Sequence, residues 1–415
     1  MRTIQQVRVP STSPDLTQNA RAYLDTLCAC QPSRSVGSPG NKEATGFVAR
    51  TFGQFGYTID TTPFECLDFE SGASSLKCGG ESYDLYSSPY SPGYAGSGKL
   101  VAASTLGELK KARCKGKILL LKGELCEEQL MPKDYPFYYP DHHRALHKLL
   151  EKKQPAAIIT ATGKNPAMVG GMYPYPMIED GNFDIPSAYC TDVLGEEIAA
   201  HAGKMVNLII DARRIPSTAC NVIAVKNPET AKKVVVTAHV DAKATTPGAL
   251  DNASGVVVLM LLAEMLDNYA GPTGIVLVAI NGEDNYSAAG EMDYLRRYGD
   301  EDEIGRVRLA LNIDGAGYVK GKTAYSFYGC PEGVQEKAGK VFGQFSGLVE
   351  GPEWPQGDHM IFAMSGVPAI AFTSEHLLKL TADITHTSRD LPELVDCAKL
   401  VELAEAIRQM ILAEE

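Results

Sequence analysis

The chain has 415 residues, 44% of them hydrophobic, a formal net charge of -12 and a pI near 5.3. That length exceeds one ordinary core and predicts two domains, while the acidic balance excludes nucleic acid or an anionic membrane as the main partner, since either needs a basic face. Ten scattered cysteines with no CxxC pair read as reduced, apolar residues rather than a disulfide framework.

The opening MRTIQQVRVPSTSPDL lacks the apolar segment of a signal peptide, and no later run is long and charge-free enough to span a bilayer. A cytoplasmic place is expected, with secretion left open if the sequence has been trimmed. Helical spacing comes next, over residues 14–27 and 41–55, and residues 57–64 read as a strand. From about Asp68 the composition shifts to Gly, Ser and Tyr (SGASSLKCGGESYDLYSSPYSPGYAGSG), which suits loops and short antiparallel strands. A second domain is therefore placed at 68–215, leaving 1–67 and 216–415 as the first. Inside it, residues 116–122, 156–162, 185–189 and 206–211 read as strands and 144–153 as a helix. His142, His143 and His147 are read as a solvated helix face, with no acidic or cysteine partner in view, and receive no role.

From residue 221 onward strand and helix patterns alternate. Strands are expected at 221–225, 234–239, 275–281, 307–313, 324–328 and 368–373, and helices at 253–269, 288–298, 334–345 and 392–413. This is an α/β pattern, a mostly parallel or mixed sheet covered by helices on both faces.

The strand at 234–239 delivers His239 and Asp241 at its end. A Pro247-Gly248 turn then leads to Asp251, just ahead of the apolar run 256–266, so Asp251 sits where a strand gives way to a helix, at the edge where such sheets carry their sites. The strand at 275–281 runs into Glu283 and Asp284, adjacent residues that face opposite ways, so one can hold a metal while the other faces the reacting water. The next strand ends in Asp314, and His386 precedes the last helix with Asp390 close behind. Five candidate ligands result: His239, Asp251, Asp284, Asp314 and His386. Imidazoles with carboxylates suit a hard or borderline metal such as zinc, and Asp241 is the expected orienter of His239.

In order and wording, AHVD, PGALDNASG, NGED, NID, GDHMIFAMSGVPAIAF and HTSRD resemble the zinc-dependent aminopeptidases of metallopeptidase family M twenty-eight. Residues 68–215 are similar in pattern and position to the protease-associated domain inserted in many members. The resemblance implies a zinc exopeptidase fold with two zinc ions, for which cobalt or manganese can substitute. Asp251 would bridge them, His239 and Asp314 would complete one site, and Asp284 and His386 the other. Glu283 would be the general base, and Asp241 would hold the second ring nitrogen of His239. Two positions depart from the family: Asp284 stands where glutamate is common, and Thr385 where several members place an oxyanion-stabilising tyrosine. His359 is the candidate replacement donor, set against a purely structural role.

The implied reaction is removal of N-terminal residues from short peptides. Alternatives are a carboxypeptidase or dipeptidase, which needs a basic pocket and has Arg296, Arg297 and Arg389 near its loops, or a glutaminyl-cyclase-like acyl transferase. A metal-free receptor on the same scaffold, as in the transferrin receptor ectodomain, is disfavoured because every ligand position and Glu283 hold competent residues. The tyrosines of the insertion (Tyr83, Tyr86, Tyr90, Tyr94, Tyr138, Tyr139) either wall the cleft or serve a homo-oligomer contact.

Overall fold

The computed structural model describes residues 14–164, 171–354 and 356–414. The leading segment read for a signal peptide lies mostly outside them. Among the described residues no helix is long and apolar enough to cross a membrane.

Eight strands form one mixed sheet. In spatial order they are Thr58–Asp60, Val222–Lys226, Gly274–Ile280, Lys233–His239, Val307–Ile313, Ala369–Ser374, Thr323–Tyr328 and Leu348–Glu350. The four central neighbours, from Gly274–Ile280 to Ala369–Ser374, run parallel. Their side chains alternate between two buried faces. Val234, Val236, Leu309, Leu311, Ile370 and Phe372 join one core, with helices Pro14–Cys28, Ser254–Met265 and Cys397–Ala413. Val235, Val276, Val278, Ala310 and Ala371 face the other, against Tyr294, Ile361 and Phe362. A strand covered on both faces must read as a continuous apolar run, which is why these segments stand out in the sequence.

A closed seven-stranded barrel occupies the stretch between Ser74 and Ile210. Its interior is Leu76, Leu85, Leu100, Ile118, Leu120, Ile159 and Leu208. A two-stranded antiparallel ribbon, Pro63–Ser71 with Ala212–Cys220, joins it to the sheet domain, and Asp68 pairs with Ile215 on one rung of that ribbon.

Several expectations need correction. The single strand at 57–64 is two strands, because Asp60 Oδ1 accepts the Thr62 N–H and hydroxyl and turns the chain between them. The last helix starts at Cys397, where Asp396 caps it by accepting the Ala398 N–H; Pro392–Leu394 is a separate 3-10 turn. The histidine helix, Asp141–Lys153, is not solvated at His143 or His147, which are buried. Glu128 is the carboxylate that the local sequence does not reveal, 2.9 Å from His142 and 3.0 Å from His143, brought there by the loop ahead of the helix. All ten cysteines are free thiols.

Candidate metal centre

Three parallel strands end level with one another. His239 pairs with Ile280 across one ladder and Thr237 with Asn312 across the other. The residues just beyond these strand ends, Asp241, then Glu283 with Asp284, then Asp314, are therefore delivered to a single edge.

Asp251 arrives there by a different route. It lies in the irregular turn Ala249–Ala253, where Asp251 and Asn252 have non-helical backbone angles and share a cis peptide. Backbone N–H groups of Leu250 and Asp251 donate to the Asp390 carboxylate at 2.8 and 3.0 Å, and Asn252 Nδ2 donates to the Ile313 carbonyl at 2.8 Å. Gly255 makes the close approach feasible: a Cβ there would meet the Ile313 oxygen at 2.6 Å and Asn252 Oδ1 at 2.4 Å. From the other side, the buried Arg34 guanidinium donates to the carbonyls of Val240, Pro247 and Gly248, which fixes the loop before the turn.

The two oxygens of Asp251 face two different imidazoles. Oδ1 lies 3.2 Å from His239 Nε2 and Oδ2 lies 3.0 Å from His386 Nε2. His239 Nε2 is also 3.6 Å from Asp314, and His386 Nε2 is 2.8 Å from Asp284. The five residues thus fall into two sets that share Asp251. His239 Nε2, Asp284 Oδ2 and His386 Nδ1 are buried without a satisfying hydrogen bond. Unsatisfied buried ring and carboxylate atoms are costly, and a convergent set of two imidazoles and three carboxylates is a donor set that zinc accepts. The residues fit the metal that the sequence implies.

Electrostatics agree with a site built around positive charge. Burial opposes charge on His239, yet Asp241, Asp251 and Asp314 raise its imidazole well above the ordinary value. Burial likewise opposes charge on His386, and Asp284 and Asp251 reverse it. Glu283 is raised well above a normal carboxylate by burial and, against the pull of His239, by Asp284, Asp314 and Asp358. That is the condition of a group able to take a proton.

Asp241 works differently from the expectation. His239 Nδ1 bonds the backbone carbonyl of Asp241 at 3.2 Å, and the carboxylate oxygen stands off at 3.6 Å. The carboxylate instead accepts the N–H of Gly282 at 2.7 Å and of Asp284 at 3.2 Å, so it organises the loop carrying Glu283. His359 is fully buried between the rings of Tyr328 and Trp354, with Nε2 against the Trp354 carbonyl at 3.1 Å. Burial pushes its imidazole down to about 4, which makes it neutral in use. Thr385 is buried, its N–H bound to the Leu380 carbonyl. Arg296 and Arg297 are spent on Asp293 and Asp60, and Arg389 is exposed.

Four further groups escaped the sequence reading. Glu291 and Asp358 are buried beside the site, and both Asp358 oxygens and Glu291 Oε2 lack partners. Burial first, then Asp314, Asp241 and Asp284 against the pull of His239, push Asp358 up to about 7. Tyr135, from a loop of the barrel region, has its phenol raised by burial and by the charges of Glu291, Glu283, Asp284 and Asp358. Lys243, the fourth, donates from its ammonium to the Asp284 carbonyl. Only Asp358 had a signal, its place in the GDHM turn.

Residues 221–411 match the model of Peptidase family M28. A Mycobacterium tuberculosis protein described as a probable lipoprotein aminopeptidase, LpqL, is 24% identical over 301 residues, which cover 70% of this chain and 56% of that protein. The chain therefore spans little more than half the length of this curated relative. Among solved structures, the Bacillus subtilis zinc aminopeptidase BSAP superposes with a TM-score of 0.73 at 19% identity, covering 96% of this chain and 94% of that one. The aminopeptidase from Aneurinibacillus sp. strain AM-1 gives 0.71 at 22%, covering 95% and 93%. Porphyromonas gingivalis glutaminyl cyclase gives 0.52 at 14%, covering 97% and 100%. At these identities the superpositions speak for the fold, which is that of the zinc aminopeptidases. The family likeness rests on residues 221–411, just under half of the chain, which are similar to Peptidase family M28.

Proposed function

We propose that this protein is a metallo-aminopeptidase that removes N-terminal residues from short peptides at a two-zinc site. The observation that carries this reading is Asp251, whose two oxygens each face a different histidine within one buried set of carboxylates. His239 and Asp314 would hold one zinc, Asp284 and His386 the other, and Asp251 both. Zinc bound there supplies a lowered water pKa and positive charge for a carbonyl oxygen.

The chain's own residues do the rest. Glu283 takes a proton from the attacking water as its oxygen bonds to the carbonyl carbon. It returns that proton to the amide nitrogen as the C–N bond breaks, leaving an acid and a free amine. Asp241 holds the Glu283 loop by accepting two of its N–H groups. Both Asp358 oxygens and Glu291 Oε2, buried and without hydrogen-bond partners, are acceptors beside the site that an α-ammonium can satisfy and an α-carboxylate cannot. Arg296 and Arg297 are already engaged, which weakens the carboxypeptidase reading. The barrel is proposed to be the inserted, protease-associated-like domain of residues 68–215, walling the cleft against large substrates.

The test is zinc content per chain, measured beside hydrolysis of free and N-acetylated aminoacyl anilides with and without chelator. About two zincs, and release from free amines alone that the chelator abolishes, is the expected result. Equal cleavage of acetylated substrates would overturn the aminopeptidase assignment, and one zinc with cyclisation of N-terminal glutamine would favour the acyl transferase.

A further inference from the structure

Lys243 stands two residues beyond Asp241, on the loop that leaves the His239 strand. Its ammonium donates to the backbone carbonyl of Asp284 at 2.7 Å and to Glu179 Oε1 at 2.9 Å. Glu179 belongs to the barrel region, and its other oxygen accepts from Gln129 Nε2, also of that region, at 3.3 Å. Both charged side chains are largely withdrawn from solvent, 20% exposed for Lys243 and 11% for Glu179. They line a cavity of about 190 Å³ between barrel and sheet domain, which also touches Asp284, Asp241, Tyr90 and Met172.

The consequence concerns one ligand. Asp284 is held at both ends of its own residue: its N–H by the Asp241 carboxylate and its carbonyl by Lys243. A carboxylate one methylene shorter than glutamate has less freedom to search for its partner, so its reach depends on where the backbone stands. That backbone is set in part from another domain. We propose that Lys243 and the barrel's Glu179 are positioning residues for Asp284, through which the barrel tunes the affinity of the site formed with His386. The inference rests on the two-zinc reading above.

The pair also has a reason to act as a unit. Without Glu179, Lys243 keeps its charge but loses the anchor that aims it at the Asp284 carbonyl; without Lys243, Glu179 has no path to the loop. Effects of the two substitutions should therefore not add.

The experiment uses the full chain, stripped of metal and titrated with zinc against a competing chelator, for the unmodified protein, Lys243→Met, Glu179→Gln and the double variant. Melting of each metal-free protein is recorded alongside. Lys243→Met should weaken one of two zinc equivalents by roughly 10-fold, the usual effect of removing a group that orients a ligand, and leave the other unchanged. Glu179→Gln should weaken the same equivalent by less, and the double variant should match Lys243→Met. Unchanged affinities, equal weakening of both equivalents, or additive losses would overturn the proposal, as would a fall in melting temperature without a change in zinc affinity. Glu179→Gln keeps the test alive if Lys243→Met does not fold. Failure of the unmodified protein to take up zinc would instead strike down the metal reading, and this inference with it.

Discussion

Asp251→Asn separates a bridging carboxylate from an ordinary ligand. The wild-type side chain offers Oδ1 toward His239 and Oδ2 toward His386, at 3.2 and 3.0 Å. Asparagine keeps the shape but has one acceptor oxygen, because its amide nitrogen donates and does not ligate. Whichever way the amide turns, one half of the site loses a ligand and both lose a shared negative charge. In the proposed site, three carboxylates facing two dications would become two. The half that loses its ligand should weaken by at least about 100-fold, about 2.8 kcal/mol at 1.4 kcal/mol per factor of ten, and the other by a smaller amount. Asp314→Asn, which removes a ligand from the His239 half alone, is the control. Calorimetric titration of the metal-free proteins with zinc, in the presence of a weak competitor, resolves the two equivalents. Two equivalents at wild-type affinity in Asp251→Asn would refute the bridging role, and so would a control that weakens both halves alike.

Glu283→Gln should retain both zincs and lower kcat by about 10²- to 10⁴-fold, the usual share of a general base; unchanged turnover would remove Glu283 from the reaction. Leu261→Ala, at a fully buried position of the helix beyond Asp251, should cost about 2 to 5 kcal/mol in denaturant unfolding, and a cost near zero would contradict the packing described. Burial pushes the His147 imidazole down to about 4, against about 6.5 in an unfolded chain. The unfolded chain then binds the extra proton between those values, so the stability is complete above pH about 6.5 and declines on acidification, by about 2 kcal/mol at pH 5. Urea unfolding at pH 7 and pH 5 should show His147→Gln losing less than wild type, and equal losses would rule the imidazole out as the cause.

How much could be read in advance depends on the kind of signal each residue leaves. The central strands were legible because burial on both faces demands unbroken runs such as Val234 to Val236, and the grouping of the candidate ligands because they sit at fixed offsets from those runs. Strand ends in a parallel ladder must meet, so sequence position implied spatial grouping. The barrel was harder: Ser74–Cys78 and Glu81–Ser87 are short and half-polar, and a strand with one solvated face alternates too weakly to count. Tertiary pairings left no trace at all. Glu128 with His143 and Glu179 with Lys243 each join segments whose proximity depends on how the chain folds back around the barrel and the sheet. The hold of Asp241 on the neighbouring loop was missed for a related reason, since a carboxylate two residues past a histidine can serve the ring or the loop, and the chain's fold brings both within its reach.

That hold bears on why an aspartate works at position 284. A glutamate reaches further from its own backbone by one carbon–carbon bond, roughly 1.5 Å, and can correct for a loosely placed loop. An aspartate cannot, so precision must come from the main chain. Here the main chain has it: Asp241 accepts the N–H of Gly282 and of Asp284, Lys243 binds the Asp284 carbonyl, and the side chain meets His386 at 2.8 Å. The same loop carries Glu283, whose backbone lies between those two anchored residues. Anchoring Asp284 therefore also anchors Glu283 next to it, and in the proposed reaction such a site would trade the adaptability of a longer side chain for a general base held in place before any substrate arrives.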